Sequence, residues 1–211
     1  AYWDKANGVA ISGSYAYVAA QSTGFRVLDI SNPAVPVEVG SYDTPGWSID
    51  VALSGSLAFV ADWPSGLRIM DITNPELPYE VGFFDTPGMA GDVVVSGSYA
   101  YVADCIGLSI HDISQPSSPK KIGHIDTPGS AYGIYVQGKY AYIADYEAGL
   151  RIIDISQPSS PKEVGSINAP KWSWGVYTQG KYAYVANNET CLSIIDISQP
   201  SSPKEVSSMV R

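Results

Sequence analysis

The amino-acid sequence predicts an all-β fold built from five equivalent units, and internal repetition is the main reason. The pattern Asp-Ile-Ser/Thr-X-Pro recurs along the 211 residues with spacings of 42, 41, 42 and 42, at Asp29, Asp71, Asp112, Asp154 and Asp196. A turn glycine recurs in register, at Gly13, Gly55, Gly97, Gly138 and Gly180. Charged residues make up only 16% of the chain, fewer than the ~25% of an average soluble domain. This composition favours short strands and tight turns over long helices.

Each unit is predicted to contain four short strands. In the second repeat they cover Ile49–Leu53, Leu57–Asp62, Leu67–Thr73 and Glu80–Phe84, each bounded by turn residues. The two prolines of Asn74–Pro78 exclude that segment from a sheet, because proline has no amide hydrogen to donate. Four short antiparallel strands in about 40–45 residues are typical of one β-propeller blade. The sequence therefore predicts a five-bladed β-propeller with four antiparallel strands in each ~42-residue blade.

The repeats account for the whole chain, so we expect a single propeller domain over residues 1–211. The repeats cover approximately 1–43, 44–85, 86–126, 127–168 and 169–211. A domain of 22.5 kDa buries enough surface to form a core without a disulfide or a structural metal. We therefore expect no cofactor and no metal.

The repeated segments resemble a known family. Gly66–Thr73 and Gly149–Ser156 share the core Gly-Leu-Arg-Ile-X-Asp-Ile-Ser/Thr, and Tyr99–Asp104 shows the Tyr-Ala-Tyr-Val-Ala-Asp that precedes it. These segments resemble the LVIVD repeat, and the resemblance covers all five repeats. It implies a β-propeller in a bacterial or archaeal cell-surface protein, and it implies no catalytic residues.

Charge and hydropathy limit the classes of partner. A net charge of −9 argues against nucleic acid, which binds to basic surfaces. No apolar run approaches the ~20 residues of a membrane span. Asn188-Glu189-Thr190 is an N-glycosylation sequon, which adds modestly to an extracellular or cell-surface location. The Cys105 and Cys191 thiols fall in different repeats and are expected to remain unpaired.

The candidate binding site is the mouth of the central channel of the propeller. The segments that enter the innermost strands contain aromatic and acidic residues: Trp3, Asp4, Trp47, Asp50, Asp92, Tyr132, Trp172 and Trp174. Loops on the same side of the propeller add Trp63, Cys105, Tyr146, Glu147 and Asn188. Aromatic faces beside carboxylates suit sugar rings. The alternative is that Trp47, Trp172 and Trp174 plug the channel or pack between blades.

Asp50 and Asp92 occupy equivalent positions in adjacent repeats. Three interpretations stay open for them: the acid and base of a glycosidase, the ligands of a cation, or two solvated acids at the end of a loop. The five aspartates of the Asp-Ile-Ser/Thr pattern are a different case, because they recur in every repeat. We expect each of them to accept hydrogen bonds from the backbone and stabilise the turn that follows.

The two histidines are expected to be structural. His111 occupies a position held elsewhere by Leu28, Met70, Ile153 and Ile195, which predicts packing between blades. His124 occupies an outer-strand position. No nucleophile with an adjacent base is evident in the sequence, so the chain is predicted not to be an enzyme.

The sequence supports two hypotheses for function. The first is a non-catalytic extracellular or cell-surface scaffold or protein-interaction module, which could assemble with itself into a surface layer or filament, or bind other surface proteins. The identical Gln-Pro-Ser-Ser-Pro-Lys turns at Gln115, Gln157 and Gln199 favour it, since tandem duplication extends surface. The alternative is a lectin that binds glycans at the aromatic and acidic channel mouth.

Overall fold

The structure is a computed structural model that describes residues 5–168, 172–188 and 191–209. The described residues contain strands, turns and irregular segments, with no helix among them. Twenty strands form five sheets of four antiparallel strands each. This confirms the predicted all-β fold with five repeated units of four antiparallel strands.

Each sheet is formed by four strands that are consecutive in the chain. The first sheet contains β1 (Gly8–Ser12), β2 (Tyr15–Ala19), β3 (Phe25–Asp29) and β4 (Val37–Tyr42). The second contains β5 (Trp47–Ser54), β6 (Leu57–Trp63), β7 (Leu67–Asp71) and β8 (Tyr79–Phe84). The third contains β9 (Asp92–Ser96), β10 (Tyr99–Ala103), β11 (Gly107–Asp112) and β12 (Lys120–Asp126).

The last two sheets follow the same plan. The fourth contains β13 (Gly133–Gln137), β14 (Tyr140–Ala144), β15 (Leu150–Asp154) and β16 (Lys162–Ile167). The fifth contains β17 (Ser173–Gln179), β18 (Tyr182–Asn187), β19 (Cys191–Asp196) and β20 (Lys204–Met209). The predicted strands of the second repeat agree with the structure except at their ends. Strand β5 begins at Trp47 rather than Ile49, because Trp47 pairs with Trp63 across a register shift between Ser48 and Asp50.

The chain divides into two compact units. The first unit contains Ala1–Ala100 and Asp112–Lys120, and the second contains Tyr101–His111 and Lys121–Arg211. The first and second sheets belong to the first unit, and the fourth and fifth sheets belong to the second unit. A single domain over residues 1–211 stays a prediction.

The turns explain why a glycine and an aspartate recur at fixed positions in each repeat. A two-residue loop joins the first two strands of each repeat, and the first residue of this loop is a glycine with a positive φ. For Gly13 the φ is +57°. A positive φ at the first loop position is a feature of hairpin turns that glycine adopts without strain. After the third strand, the Asp29 carboxylate accepts a 2.8 Å hydrogen bond from the Ser31 amide. Asp71, Asp112, Asp154 and Asp196 make the same bond at 2.8 to 2.9 Å, which confirms the structural role predicted for these five aspartates.

A second set of aspartates, which the sequence analysis did not single out, holds the segments that enter the second and fourth sheets. The buried Asp145 accepts hydrogen bonds from Thr127 Oγ1 at 2.5 Å and from the Gly129 amide at 2.9 Å. In the second repeat, Asp62 accepts the corresponding bonds from Thr44 Oγ1 at 2.6 Å and the Gly46 amide at 2.8 Å. Burial is the main reason that the pKa of Asp145 is raised, and these bonds oppose it. Both aspartates directly follow an apolar segment, Leu57–Ala61 in one repeat and Tyr140–Ala144 in the other, and this shared position was the signal that could have identified them.

The structure places His111 on β11 and His124 on β12. His111 is buried, and its Nε2 lies 2.7 Å from Ser109 Oγ. Burial, followed by repulsion from Lys121 and His124, lowers the pKa of His111 to about 3. His124 lies on the outer strand β12, with Nε2 2.8 Å from Asp126.

Candidate functional site

In the second unit, three of the predicted site residues meet a fourth aromatic residue. The aromatic cluster consists of Tyr132, Tyr146, Trp172 and Trp174. The ring centroids of Tyr132 and Trp174 lie 4.9 Å apart, and those of Tyr146 and Trp174 lie 5.0 Å apart. Tyr146 stacks on Trp172 with a centroid distance of 5.4 Å and an interplanar angle of 12°. The cluster remains open to solvent, since Trp172 is 42% and Trp174 is 48% exposed.

Backbone bonds between two loops hold this cluster in place. The Tyr146 amide donates to the Ser173 carbonyl at 3.1 Å, and the Ser173 amide donates to the Tyr146 carbonyl at 3.0 Å. Tyr146 and Trp172 both adopt a positive φ, of 44° and 42°. Below them, the buried Ser173 hydroxyl donates to Asn187 Oδ1 at 2.8 Å. The left-handed backbone conformations of Tyr146 and Trp172 therefore bring the two rings together, and the hydrogen bonds of Ser173 hold the two loops rigidly in place.

The phenol of Tyr132 and the thiol of the nearby Cys105 keep their protons at neutral pH. The pKa of Tyr132 is raised, mainly by burial and also by Cys105, Tyr146 and Glu147. The pKa of the Cys105 thiol is raised to about 11 by burial and by Asp104. Because phenol and thiol both keep their protons, the cluster offers ring faces and neutral hydrogen-bonding groups. Such a surface suits a neutral ligand with an apolar face and hydroxyl groups.

In the first unit, Trp47 and Asp50 have different environments. Trp47 is the first residue of β5, where it is exposed and pairs with Trp63 on β6. Asp50 faces the neighbouring sheet, where its Oδ2 accepts a 3.3 Å hydrogen bond from the Val93 amide. A Cβ atom added to Gly8 would collide with Asp50, so the carboxylate is enclosed by the adjacent strands. This bond gives Asp50 a structural role in joining β5 to β9.

The remaining predicted residues add little to a site. Asp92 is the first residue of β9 and is partly buried. Trp3 and Asp4 lie outside the described residues. Asn188 is exposed, and its amide donates to the Trp172 carbonyl at 3.2 Å. Its glycosylation stays a prediction, as does ligand binding by the other site residues.

Two concave surfaces lie at the repeated proline turns of the fourth and fifth repeats. A depression of about 210 Å³ in the fourth repeat is lined by Asp154, Ser156, Gln157, Ser160, Lys162 and Val164. Its counterpart of about 170 Å³ in the fifth repeat is lined by Asp196, Ser198, Gln199, Ser202 and Lys204. Both are formed by the same repeated turn, so they are a product of the repeat rather than a specialised pocket.

Metal ligation and membrane spanning by a helix have no evident basis in the part of the chain that the structure describes. In residues 5–168, 172–188 and 191–209, no group of three or more His, Cys, Asp or Glu side chains is placed to hold a metal ion. No helix in this part of the chain is long and apolar enough to cross a membrane. Cys105 and Cys191 are both free thiols.

Solved structures with low sequence identity share the fold. A protein from Lactobacillus plantarum matches with a TM-score of 0.85 and 12% identity, covering 100% of this chain and 72% of that one. A functionally unknown protein from Desulfotomaculum acetoxidans matches with a TM-score of 0.81 and 13% identity, covering 98% and 70%. The computationally designed Ika8 protein matches with a TM-score of 0.77 and 8% identity, covering 96% of this chain. The chain spans only 61% of that designed protein, less than two thirds of its length.

The sequence comparison identifies the family. No curated protein matches the chain as a whole. The LVIVD repeat matches five times, over residues 4–44, 45–86, 87–127, 128–169 and 172–210. These matches coincide with the five four-stranded sheets, as the resemblance of the repeated segments predicted. The chain therefore belongs to the LVIVD-repeat family.

Proposed function

We propose that this chain is a non-catalytic scaffold or interaction module at the cell surface, which binds other copies of itself or other surface proteins. The observation that carries this proposal is the exposed, apolar outer edge of the sheets. The outermost strands present Tyr79, Phe83, Val206 and Met209 with more than half of each side chain exposed. Outer strands also have an unpaired edge, which is a ready template for contact with another chain.

The state of the titratable groups supports a non-catalytic role. His111 is buried against Ser109 and has a pKa of about 3, far from the value that suits a general base at neutral pH. The Cys105 thiol, with a pKa of about 11, is a poor nucleophile. The five turn aspartates bond to backbone amides, and Asp50 bonds to Val93. Each of these groups serves packing or turn geometry.

Location is the first test of the scaffold proposal. Intact cells of the producing organism are labelled with an antibody against the chain and, in parallel, treated with an external protease. We expect labelling and proteolysis without permeabilisation. A chain that is reached only after the cells are permeabilised would overturn the cell-surface part of the proposal.

The aromatic cluster supports a second candidate function, carbohydrate binding. Its exposed tryptophans are held rigidly and carry no charge, which suits stacking against a pyranose ring. The test is a glycan array followed by calorimetry with any sugar that binds. Trp174→Ala should weaken binding about tenfold or more, whereas Trp47→Ala, which removes an exposed tryptophan outside the cluster, should not. Equal effects of the two variants, or an array without binding, would count against the cluster as a lectin site.

A further inference from the structure

An open groove of about 530 Å³ lies on the outer side of the first unit, between β4 and the proline turn of the second repeat. Its lining residues are Glu38, Val39, Gly40, Ser41, Glu76 and Leu77, and all of them belong to one compact unit. The volume falls within the roughly 300–1,000 Å³ of ligand pockets. Because the groove is open to solvent, it suits an extended ligand better than a compact one that needs an enclosed cavity.

One wall of the groove is the outer edge of a sheet. Strand β4 is the last strand of the first sheet, and among the described strands it pairs with β3 alone. Backbone N–H and C=O groups that point away from β3 therefore have no partner strand, and an extended peptide can pair with them. Gly40 lets the neighbouring turn approach this strand closely, since an added Cβ would overlap the Pro75 carbonyl oxygen.

The other wall is a rigid turn with an apolar and an acidic side chain. Leu77 is 71% exposed, and its amide donates a 3.0 Å hydrogen bond to the Asn74 carbonyl. Glu76 is exposed beside it, and its amide donates a 3.2 Å hydrogen bond to Asn74 Oδ1. These bonds hold the turn backbone in place before a ligand arrives, which reduces the entropy cost of binding.

The charges of the groove indicate a basic ligand. Glu38 and Glu76 both line it, and Arg26 NH1, 3.6 Å from Glu38 Oε1, offsets the charge of one carboxylate. The groove therefore keeps a net negative charge. Residues 1–85 contain ten acidic and three basic residues, whereas residues 86–211 contain eleven and nine. The first two repeats therefore attract a cationic partner more strongly than the later repeats do.

The corresponding position in the second unit has a different character. Its strand segment Glu163–Ser166 has the same sequence as Glu38–Ser41. The turn beside it has serines and lysines where the first groove has acidic and apolar residues: Ser201, Ser202, Lys162 and Lys204 in place of Glu76, Leu77, Val37 and Tyr79. The two positions share a strand and differ in the residues around it, so these residues give the first groove its specificity.

We propose that the groove binds an extended peptide of another surface protein, in which basic side chains alternate with apolar ones. The proposal rests on the scaffold function and names the chemistry of its partner. The peptide pairs with the outer edge of β4, a lysine or arginine reaches the carboxylates of Glu38 and Glu76, and an apolar side chain covers Leu77. Alternation fits this arrangement, because successive side chains of a strand point to opposite faces.

The first experiment is isothermal titration calorimetry of the full chain with the synthetic peptide Thr-Lys-Val-Lys-Thr-Lys-Val, blocked at both ends, at low ionic strength. We expect one peptide to bind per chain, and binding to weaken as salt is added because charges contribute to it. The same peptide with glutamate in place of lysine should not bind. No binding of the lysine peptide, or equal binding of the two peptides, would overturn the proposal.

Two double variants test whether the peptide binds in the groove. Glu76→Ser with Leu77→Ser gives the second turn the Pro-Ser-Ser-Pro sequence of the later repeats, and it should weaken binding about tenfold or more. Asp85→Ser with Met89→Ser is the matched control, because it removes one acidic and one apolar exposed side chain from another loop of the same unit. The control should bind as the wild type does. Equal losses in the two variants would contradict the assignment to the groove.

A transfer experiment tests whether these residues are sufficient. The chain that carries Glu76→Ser and Leu77→Ser receives the residues of the first groove at the corresponding position of the second unit, through Ser201→Glu, Ser202→Leu, Lys162→Val and Lys204→Tyr. Binding of the lysine peptide should return to within a few-fold of the wild type. A chain that unfolds cooperatively in urea and does not regain binding would overturn the proposal.

The same variants distinguish a second copy of the chain as the occupant. Self-association of the wild type in sedimentation velocity, lost in the variant with Glu76→Ser and Leu77→Ser, would overturn the peptide in favour of a second copy. The outcome is separate from that of the scaffold proposal. Peptide binding by a chain that is not on the cell surface would overturn only the surface location, and a surface chain that binds no peptide would overturn only the present inference.

Discussion

Asn187 Nδ2 donates a 2.9 Å hydrogen bond to Ser193 Oγ, at the two positions where the fourth repeat has Asp145 and Arg151. In that repeat, Arg151 Nε lies 3.5 Å from Asp145 Oδ2, and both side chains are buried. The charged pair and the neutral pair therefore occupy the same place between the second and third strands. Between the fourth and fifth repeats both members of the pair change, which keeps the buried site electrically neutral in each.

This exchange predicts strong coupling between Asp145 and Arg151. Asp145→Asn alone should lower the free energy of unfolding by about 2 kcal/mol, because it removes one of the two carboxylates, those of Asp145 and Glu163, that lie 3.5 Å from the buried guanidinium. Adding Arg151→Ser should recover about half of that loss, since the pair then resembles Asn187 and Ser193. Urea denaturation of the two single variants and the double variant measures the coupling. Additive effects would show that the two side chains act independently.

The outer-strand glycines predict a sharp difference between two alanine substitutions. Gly165→Ala should lower stability by about 2 kcal/mol, because its Cβ would overlap the Pro200 carbonyl oxygen. Gly175→Ala is the matched control, since a Cβ there has no atom within 4 Å. That variant should be neutral or slightly more stable, because alanine restricts the unfolded chain. Comparable urea midpoints for the two variants would contradict the close approach at Gly165.

His111 predicts a loss of stability in mild acid. Its folded pKa of about 3 lies below its ordinary value of 6.5, so the unfolded chain takes up a proton first as the pH falls. The stabilisation that comes from keeping His111 neutral is complete above pH 6.5 and decreases as the pH falls toward 3, reaching a loss of about 3 kcal/mol near pH 4.5. His111→Met places there the residue found at Met70 and should remove this part of the pH dependence. Thermal melting from pH 7 to 4.5 measures it, and parallel curves for the two proteins would refute the assignment.

The two cysteines should react at very different rates. The Cys105 thiol is partly buried and has a pKa of about 11, so little of it is thiolate at neutral pH. Cys191 is exposed. Modification with iodoacetamide, followed by peptide mass spectrometry, should label Cys191 first. Faster labelling of Cys105 would show that its environment is more open than the structure describes.

The fold could be predicted from the sequence because each repeat supplies an independent copy of the same signals. Five aspartate turns and five hairpin glycines fix the positions of the strands, and the structure agrees with them except at strand ends such as Trp47. Strand ends depend on cross-strand pairing, in this case between Trp47 and Trp63. That pairing has no local signature in the sequence.

The candidate site was only partly predictable. Tyr132, Trp172 and Trp174 were identified by composition, but their contact with Tyr146 depends on left-handed backbone conformations at Tyr146 and Trp172. Non-glycine residues rarely adopt that conformation, so the sequence does not indicate it. Asp50 was grouped with binding residues because of its charge, and its bond to the Val93 amide depends on packing between sheets.

The order of the strands has a consequence for biosynthesis. Every hydrogen-bonded pair of strands joins neighbours in the chain, so no sheet requires a segment that is translated much later. Contacts of this local kind favour rapid folding, and each sheet can form soon after its own repeat leaves the ribosome. The face that packs against the next sheet then stays exposed only until the next repeat arrives to cover it. Each newly formed apolar face is therefore exposed briefly, which limits aggregation during synthesis.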